Sequence, residues 1–535
     1  MKIRKPDNLL IVTEKGEASG SEVVTANDCS CSIESMGESL KVLLTAKTTP
    51  VRYIRLRWLF RPEERRAEIV RVTGDTWERG YGDMEWRGIV PERCMPWVLA
   101  VSNGSDSNRN YNGRHTECFG VKTRAGALCF WQYDTEGVTL WADVRNGGHG
   151  VVLNGRTLTA CEVLFGDYWN DSAFRSMHAF YSLLNDKVLV PTHKVYGSNN
   201  WYYAYGKSSH DEILSDTDLV SELCNGLANR PYMVIDSGWQ PHATSGPWDH
   251  GNRNFPDMKA LADCMKQRGV RPGIWIRYLA DFGATRSDVK AEYYLDGRKG
   301  VLDPSHPEVL ALIKRDTHRI VNEWGFQLIK HDFSTYDIFG DWGFSRKDTL
   351  TNDGWHFFDR TKTSAEIIID FYRAIREAAG SDTVLIGCNV IGHLAAGLVE
   401  LNRIGDDVSG RNWERTRKYG VNTVAFHMTH DKTFYAADAD CVGIMGAYPM
   451  RPFNSEWLRL LSESGAPLFV SCKPGILKEE ELDLLRTAFA RASQQSDILE
   501  PIDWMENTCP TRWLINGKEE TFHWLPEGGA DIFDK

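Results

Sequence analysis

Apolar and polar residues alternate in short runs through roughly the first third of the chain. The runs include SLKVLLTAK, YIRLRWLF, ALCFWQYD, VTLWADV and VVLNGRTLTACEVLF, and they are separated by Gly, Asn and Asp clusters such as SNGSDSNRNYNG. An alternation with a period of two, interrupted by frequent turn signals, is typical of an all-β sandwich. The pattern therefore predicts an N-terminal β-sandwich domain over residues 1–190.

The rhythm changes after LVPTHKVYGSNNW to a repeated strand, loop and helix. Helix-like stretches such as SAEIIIDFYRAIREAAG end in Gly, a common helix stop. The predicted strands lie at about residues 194–202, 231–239, 270–278, 326–334, 383–389, 401–407, 440–446 and 466–473. Eight such units match a (β/α)8 TIM barrel over residues 191–498. An open doubly wound sheet is the alternative, although no GxGxxG follows the first strand.

The last segment, residues 499–535, is too short for a full third domain. Its stretch TRWLINGKEETFHW predicts a hairpin, and so a short C-terminal β segment. The predicted fold class is thus multidomain: a β-sandwich, then a TIM barrel, then a β tail.

Polar side chains follow several of the predicted barrel strands. In a TIM barrel, catalytic residues lie at the C-terminal ends of the strands. The candidates there are Asp236, Trp239, Trp275, Arg277, Lys330, His331, Asp332, Cys388, Asn389, Arg403, Asp406 and Asp407.

The stretch FQLIKHDFSTYD places a lysine and an aspartate at the end of an apolar run. A buried charge is costly unless it is paired with an opposite charge or belongs to a functional site. Side chains alternate along a strand, so Lys330 and Asp332 share a face. An ionised Asp332 in a cleft can act as a nucleophile, and Asp407, with Arg403 four residues before it, can act as a general acid. Two such carboxylates are the chemistry of glycoside cleavage. From the spacing alone, two strand-end ion pairs explain these residues equally well.

Composition narrows the function classes. The chain has 535 residues, of which 42% are hydrophobic and 25% charged, which is ordinary for a globular protein. The net charge of −11 disfavours nucleic acid as a partner. The 19 Trp suit sugar rings, but they suit a protein core as well.

The cellular location is predicted from the membrane-spanning and targeting segments for which the sequence was searched. No apolar run approaches transmembrane length, so no membrane association is expected. The apolar run at residues 9–12 is too short for a signal peptide, and the 12 Cys include no CxxC pair. We expect a cytoplasmic protein, the alternative being a secreted one whose leader has been removed.

Six stretches, in order, resemble the α-galactosidase clan of glycoside hydrolases, families 27 and 36. They are NNWYYAYG, VIDSGWQ, FPDMKALADCMKQRGVRPGIWI, LIKHD, NRIGDD and YAADADCVGI, with GAPLFVSCKPG after them. LIKHD is similar to the clan's Lys-x-Asp motif, and NRIGDD resembles RASDD of the raffinose-synthase branch of family 36. The likeness spans roughly residues 195–475, and a sandwich before the barrel resembles family 36 more than family 27.

The resemblance implies a role for each matching residue. Asp332 would be the nucleophile and Asp407 the acid/base. Lys330 and Asp236 would bind ring hydroxyls, and Arg403 would lie near the 2-position. Cys388 and Asn389 would lie near the 2-substituent. The apolar walls would be Trp201, Trp239 and Trp275.

The resemblance also implies an activity, with departures that leave alternatives open. It implies a retaining, exo-acting α-galactosidase that acts on oligosaccharides or glycoconjugates without a metal or other cofactor, and it leaves self-association open. Ser237 stands where the clan has a second Asp, so binding around the 4- and 6-hydroxyls is altered or is completed by another carboxylate such as Asp249. Alternative activities are an α-N-acetylgalactosaminidase, an α-glycosidase with changed 6-position specificity, a transglycosylase and a non-catalytic sugar-binding protein.

Overall fold

The structure is a computed structural model that describes residues 1–65, 68–242, 244–346, 354–444, 452–494 and 498–524. The N-terminal part consists of thirteen described strands. They are β1 (Asn8–Thr13), β2 (Gly16–Gly20), β3 (Val23–Ala26), β4 (Cys29–Ser35), β5 (Ser39–Ala46), β6 (Val51–Leu59), β7 (Arg71–Gly74), β8 (Met95–Pro96), β9 (Val98–Ser102), β10 (His115–Val121), β11 (Leu128–Tyr133), β12 (Gly137–Asp143) and β13 (Thr157–Trp169).

These strands form two antiparallel sheets that share a core. One sheet has the order β2-β1-β6-β12-β11-β8, and the other has the order β3-β4-β5-β13-β10-β9-β7. Trp58 of the first sheet meets Phe165 of the second edge to face, with 5.3 Å between ring centroids. The alternating residues of strands such as β4 and β5 are buried in this shared layer, which confirms the predicted β-sandwich.

The second part of the chain is a parallel barrel with helices between its strands. Its strands are β14 (Tyr196–Asn199), β15 (Tyr232–Ile235), β16 (Arg271–Ile276), β17 (Leu328–His331), β18 (Val384–Gly387), β19 (Leu401–Arg403), β20 (Ala436–Asp438), β21 (Cys441–Ile444) and β22 (Leu468–Cys472). The sheet order is β20-β19-β18-β17-β16-β15-β14-β22-β21.

The α-helices of the described residues follow the predicted rhythm. They are α1 (Ala173–Leu184), α2 (Trp201–Ala204), α3 (His210–Leu223), α4 (Met258–Gln267), α5 (Pro307–His318), α6 (Ser334–Phe339), α7 (Ser364–Ala379), α8 (Gly392–Ala395), α9 (Trp413–Arg415), α10 (Thr423–His427), α11 (Pro452–Ser464) and α12 (Glu479–Ala492). Helix α7 begins with a capping box between Thr363 and Glu366 and ends at Gly380, as its sequence predicts. In the described part of the chain, no helix combines the length and the apolar character needed to cross a bilayer.

The barrel closes through a seventh strand that is broken in two. Strand β20 pairs with β19, and β21 pairs with β22, which itself pairs with β14. The break falls at Asp440, whose φ of +70° is left-handed and cannot continue a strand. The predicted TIM barrel is confirmed and the open-sheet alternative is wrong. The seventh strand was predicted at 440–446, whereas its first half lies earlier and residues 445–446 lie outside the described residues.

The C-terminal segment forms a small sheet of β23 (Glu500–Pro501), β24 (Arg512–Ile515) and β25 (Lys518–Thr521). Strands β24 and β25 are the predicted hairpin. Trp504 packs edge-on against Trp86, and its indole N–H donates to Asp106, both in the first 190 residues. The segment therefore packs on the sandwich. The domain boundaries at 190/191 and 498/499 stay predictions.

A loop of the sandwich reaches the barrel face where the strands end. The backbone N–H of Gly80 donates to the carbonyl of Ile404, directly after β19, at 2.8 Å. A Cβ on Gly80 would lie 2.7 Å from the Thr423 side chain, so this approach requires glycine. The contact brings the residues that follow Trp77 to the C-terminal ends of the barrel strands.

Candidate active site

A cavity of about 400 Å³ opens at the C-terminal ends of the barrel strands, a size typical of a small-ligand site. Residues from both the barrel and the sandwich line it. They are Arg79, Tyr81, Trp201, Asp236, Ser237, Thr244, Trp275, Arg277, Lys330, Asp332, Phe333, Trp342, Asn389, Asp406 and Asp407.

Three donors hold the carboxylate of Asp332, which follows strand β17. The Trp275 indole N–H donates to Oδ2 at 3.0 Å, and the Asn389 amide donates to Oδ1 at 2.5 Å. The backbone N–H of Phe333 also donates to Oδ1, at 2.7 Å. Phe333 and Asn389 both adopt left-handed backbone conformations, with φ of +63° and +53°. Such conformations are costly for these residues and concentrate at functional sites.

Lys330 pairs with Asp236 rather than with Asp332. Its Nζ lies 2.8 Å from Asp236 Oδ2, and the Asn199 amide donates to the same oxygen. Burial acts to lower the pKa of Lys330, but the negative charges around it, Asp236 foremost, hold that pKa well above its ordinary value. The lysine is therefore a fixed positive charge on the cavity wall. The interpretation of Lys330 and Asp332 as a simple ion pair is wrong.

Asp407 lines the cavity after strand β19, and its side chain is 43% exposed. Arg403 Nη2 donates to its Oδ1 at 3.0 Å, and Arg79 Nη1 lies 3.9 Å from the same oxygen. Burial acts to raise the pKa of Asp407, but Arg403, Arg79 and Lys330 outweigh burial and lower it. In the ligand-free protein the carboxyl is therefore ionised at neutral pH.

The buried carboxyl of Asp440 shares Arg403 with Asp407. Arg403 Nη2 lies 2.6 Å from Asp440 Oδ2, and the Val408 N–H donates to the same oxygen at 2.7 Å. Burial raises the pKa of Asp440 to about 6, against the opposing effect of Arg403. The break in the seventh strand places this carboxyl behind the acid/base candidate.

Three residues predicted to bind substrate are not among the described residues that line the cavity. Trp239 is fully buried, and its indole N–H donates to the carbonyl of Trp275 at 2.8 Å. Strand β15 ends at Ile235, and Gly238 (φ +120°) turns the chain, so Trp239 supports the wall from behind. The prediction of Trp239 as a wall of the cavity is corrected on this ground.

Cys388 and Arg403 also lie one layer behind the cavity surface. Each is 2% exposed, and Arg403 Nη1 lies 3.7 Å from the Cys388 sulfur. Arg403 contacts the cavity lining through Asp407, and the Cys388 sulfur lies 3.9 Å from Arg79 Nη1. The other six predicted binding residues line the cavity: Trp201, Asp236, Ser237, Trp275, Lys330 and Asn389.

The loop that follows strand β15 does not restore the missing carboxylate. Between residues 242 and 254, the described residue in the cavity lining is Thr244, whereas Asp249 is half exposed and binds the His250 ring at 2.6 Å. Ser237 Oγ accepts from the Gln240 amide at 3.0 Å. The described residues therefore keep a hydroxyl where the resembling clan has a carboxylate.

Sequence reasoning missed several residues of the lining. Arg79 and Tyr81 belong to the sandwich, and Trp342 follows helix α6. Arg277 was noted as a strand-end residue; it pairs with buried Asp337 and stacks 4.1 Å over the ring of Phe333. Position at the end of a strand was the signal for Arg277. A sandwich residue carries no such signal in the sequence.

One group of potential metal ligands occurs among the described residues, and it lies away from the cavity. His115, Glu117 and Asp167 come together on strands β10 and β13 of the sandwich. His115 stacks on Trp169 and binds Asp167 at 2.7 Å, so protein contacts already account for its position.

Solved structures share this architecture over most of this chain. The α-galactosidase TtGalA of Thermus thermophilus, in complex with p-nitrophenyl α-D-galactopyranoside, is 17% identical over 96% of this chain and 98% of its own, with a TM-score of 0.61. A variant of the GH36 α-galactosidase AgaA of Geobacillus stearothermophilus, in complex with raffinose, is 12% identical over 96% and 79%, with a TM-score of 0.60. The α-galactosidase of Lactobacillus brevis is 13% identical over 92% and 69%, with a TM-score of 0.56.

This chain has the fold of the GH36 α-galactosidases. At such identities the likeness establishes the fold, and no family model matches the sequence.

Two carboxylates of the cavity lining, Asp332 and Asp407, have different surroundings. Asp332 is nearly buried and accepts three hydrogen bonds, whereas Asp407 is partly exposed and faces arginines. Two carboxylates whose environments differ can divide nucleophilic and proton-transfer roles between them. The site can therefore support displacement at an acetal carbon with proton transfer to the leaving oxygen.

Proposed function

We propose that this protein is a retaining, exo-acting α-galactosidase that removes terminal α-galactosyl residues from oligosaccharides or glycoconjugates. The observation that carries the proposal is the meeting of Asp332 and Asp407 in one cavity at the C-terminal end of the barrel. Support comes from structural neighbours whose bound molecules are p-nitrophenyl α-D-galactopyranoside, stachyose and raffinose.

In the first step of the proposed reaction, Asp332 attacks the anomeric carbon while the bond to the leaving oxygen breaks. The Trp275, Asn389 and Phe333 donors keep the attacking carboxylate in one orientation. For this step Asp407, which is ionised in the free protein, must take up a proton when substrate binds, and it gives this proton to the leaving oxygen. The aglycone then departs as a neutral alcohol. The product of this step is a galactosyl ester of Asp332.

In the second step Asp407 takes a proton from water, and the water oxygen attacks the same carbon. The ester bond breaks and the Asp332 carboxylate is regenerated. Two displacements at one carbon retain the anomeric configuration.

The walls of the cavity fit a neutral sugar. Trp201 and Trp275 offer apolar surface, and Asp236, Lys330 and Asn389 offer acceptors and donors for hydroxyl groups. The cationic side chains of the lining have carboxylate partners: Arg79 with Asp406, Arg277 with Asp337 and Lys330 with Asp236. The lining therefore offers no surplus positive charge for an anionic sugar.

The test is hydrolysis of aryl α-glycosides by the purified protein. The panel contains the α-galactoside, the α-N-acetylgalactosaminide, the α-glucoside and the β-L-arabinopyranoside. We expect the α-galactoside to be cleaved with the highest kcat/KM and α-galactose to be released first, as seen by proton NMR. Asp332→Ala is the inactive control that excludes a contaminating glycosidase.

Two outcomes would replace the proposal. A preference for the N-acetylgalactosaminide would show that the protein is an α-N-acetylgalactosaminidase. Transfer to added raffinose or sucrose in place of hydrolysis would indicate a transglycosylase. No turnover of any member of the panel would contradict the α-galactosidase proposal.

A further inference from the structure

One side chain of the sandwich lies inside the barrel's cavity. Arg79 follows Trp77 in the loop after strand β7, and it is 4% exposed. The backbone contact between Gly80 and Ile404 anchors it to the segment that carries Asp406 and Asp407. The guanidinium also lies 5.9 Å from the ring of Trp342. Its position is therefore fixed by both domains.

Arg79 contacts two consecutive carboxylates. Its Nη2 donates to Asp406 Oδ1 at 2.6 Å, and its Nη1 lies 3.9 Å from Asp407 Oδ1. Arg403 contacts the same Asp407 oxygen from the barrel side and is itself paired with Asp440. The acid/base candidate thus lies between two arginines, and each arginine has a second carboxylate of its own.

This arrangement fixes how strongly each arginine acts on Asp407. A guanidinium that is already paired exerts less net attraction on a further carboxylate than an unpaired one. Removing Asp406 would leave Arg79 to act on Asp407 alone, and removing Arg79 would leave Asp406 as a like charge beside it. The two changes must therefore move the proton affinity of Asp407 in opposite directions.

We propose that Arg79 is a positioning residue of the active site, by which the sandwich orients Asp407 and tunes it for proton transfer. The inference rests on the proposed function, because it assigns Arg79 to the acid/base half of that reaction. It also gives the sandwich a part in catalysis through the Asp406–Arg79–Asp407 contact.

Other charged and titratable groups face Asp407 and are held constant in the test. These groups are Arg403 on β19, Lys330 on β17 and Tyr202 on helix α2. Asp440 acts through Arg403. Arg415 Nη2 donates to the backbone carbonyl of Asp407 at 3.4 Å and lies 3.5 Å from Asp406 Oδ2. None of these groups is altered in the variants below.

The experiment measures the titration of Asp407 in Arg79→Gln, Asp406→Asn and Arg79→Lys. The protein carries ¹³C at the aspartate carboxyl carbons, and Asp407→Asn identifies the signal. Because an opposite charge within 4–6 Å lowers a carboxyl pKa by 1–3 units, we expect Arg79→Gln to raise the midpoint by about one pH unit. Asp406→Asn should lower it, and Arg79→Lys should return it towards the wild-type value.

Kinetics give the second measurement. In the pH profile of kcat/KM, the limb that disappears in Asp407→Ala reports the titration of Asp407. In each variant the midpoint of this limb should shift in the same direction as the NMR midpoint. A role of Arg79 in folding alone would lower activity at every pH without moving this limb. An unchanged Asp407 midpoint in Arg79→Gln, or shifts of the same sign in Arg79→Gln and Asp406→Asn, would overturn the inference.

The two proposals fail separately. If the wild-type protein cleaves no α-galactoside, the proposed function is lost, while the NMR titration still tests the Arg79 contact. If the wild type is active and the midpoint does not move, only the role of Arg79 is lost.

Discussion

His331 is a buried histidine whose replacement should make the protein more stable, and more so in acid. It lies on β17 between Lys330 and Asp332, and it faces away from them into the layer between strands and helices. It is 1% exposed, and the rings of Tyr278, Phe371 and Tyr372 lie within 6.4 Å of it. Neither ring nitrogen has a hydrogen-bond partner among the described residues.

The effect of pH follows from the difference between the folded and unfolded pKa. Burial lowers the pKa of His331 from 6.5 to about 4. The unfolded chain therefore gains a proton as the pH falls below 6.5, whereas the folded protein does not until about pH 4. Stability is fully present above the unfolded value and is lost as the pH falls towards the folded value. At pH 5 the loss is about 2 kcal/mol.

The perturbation is His331→Leu, with His331→Phe as a second apolar replacement. At pH 7 we expect either variant to be more stable than the wild type by about 1–3 kcal/mol, because two unsatisfied buried nitrogens are removed. At pH 5 the advantage should grow by about 2 kcal/mol, because the leucine does not titrate.

The assay is urea unfolding followed by tryptophan fluorescence at both pH values. His523→Leu is the control, because His523 is exposed. Its difference from the wild type should be the same at pH 7 and pH 5. If His331→Leu and the wild type differ equally at the two pH values, the assignment of a neutral, buried His331 is refuted.

Three predictions concern the proposed chemistry. Asp332→Ala should lower turnover by several orders of magnitude, since removing a catalytic nucleophile can cost up to ~10⁶-fold in kcat. A mechanism-based fluoro-sugar should become covalently attached to Asp332, as detected by mass spectrometry. A variant that keeps a tenth of the activity contradicts this assignment. Asp407→Ala should spare activated aryl substrates, and added azide should restore turnover as an α-galactosyl azide; if Asp406→Ala behaves this way instead, the acid/base is the preceding residue. Because Ser237 supplies no carboxylate, the ratio of kcat/KM for the α-galactoside to kcat/KM for its 6-deoxy analogue should stay below about 10⁴. A higher ratio would show that the site binds the 6-hydroxyl with a full set of hydrogen bonds, against this prediction.

The sequence predicted the fold because its two periodicities are local signals. The alternating runs before residue 190 became two packed sheets, and the strand-and-helix rhythm after it became a barrel. The seventh strand was placed too late because its break depends on the backbone of Asp440. A left-handed aspartate leaves no trace in hydrophobic patterning.

The candidate site was predictable where a residue ends a barrel strand and faces inward. Asp236, Lys330 and Asp332 satisfy both conditions and line the cavity. Trp239 does not, because the strand had already ended and a glycine turned the chain. Strand-end position is therefore informative only as far as the strand actually extends.

Arg79 was beyond such reasoning, since its loop meets the barrel only in the folded protein. The pattern of the segment GDTWERGYGD is typical of a polar turn. Nothing in that pattern indicates a contact with Asp406, which lies more than 300 residues later in the chain. Gly80 lacks space for a side chain beside Thr423, and Arg79 pairs with Asp406. One loop thus supplies both a close backbone contact and a charge to the cavity. The sandwich is a wall of the cavity as well as a neighbour of the barrel, and a barrel expressed alone would lack the guanidinium beside Asp407.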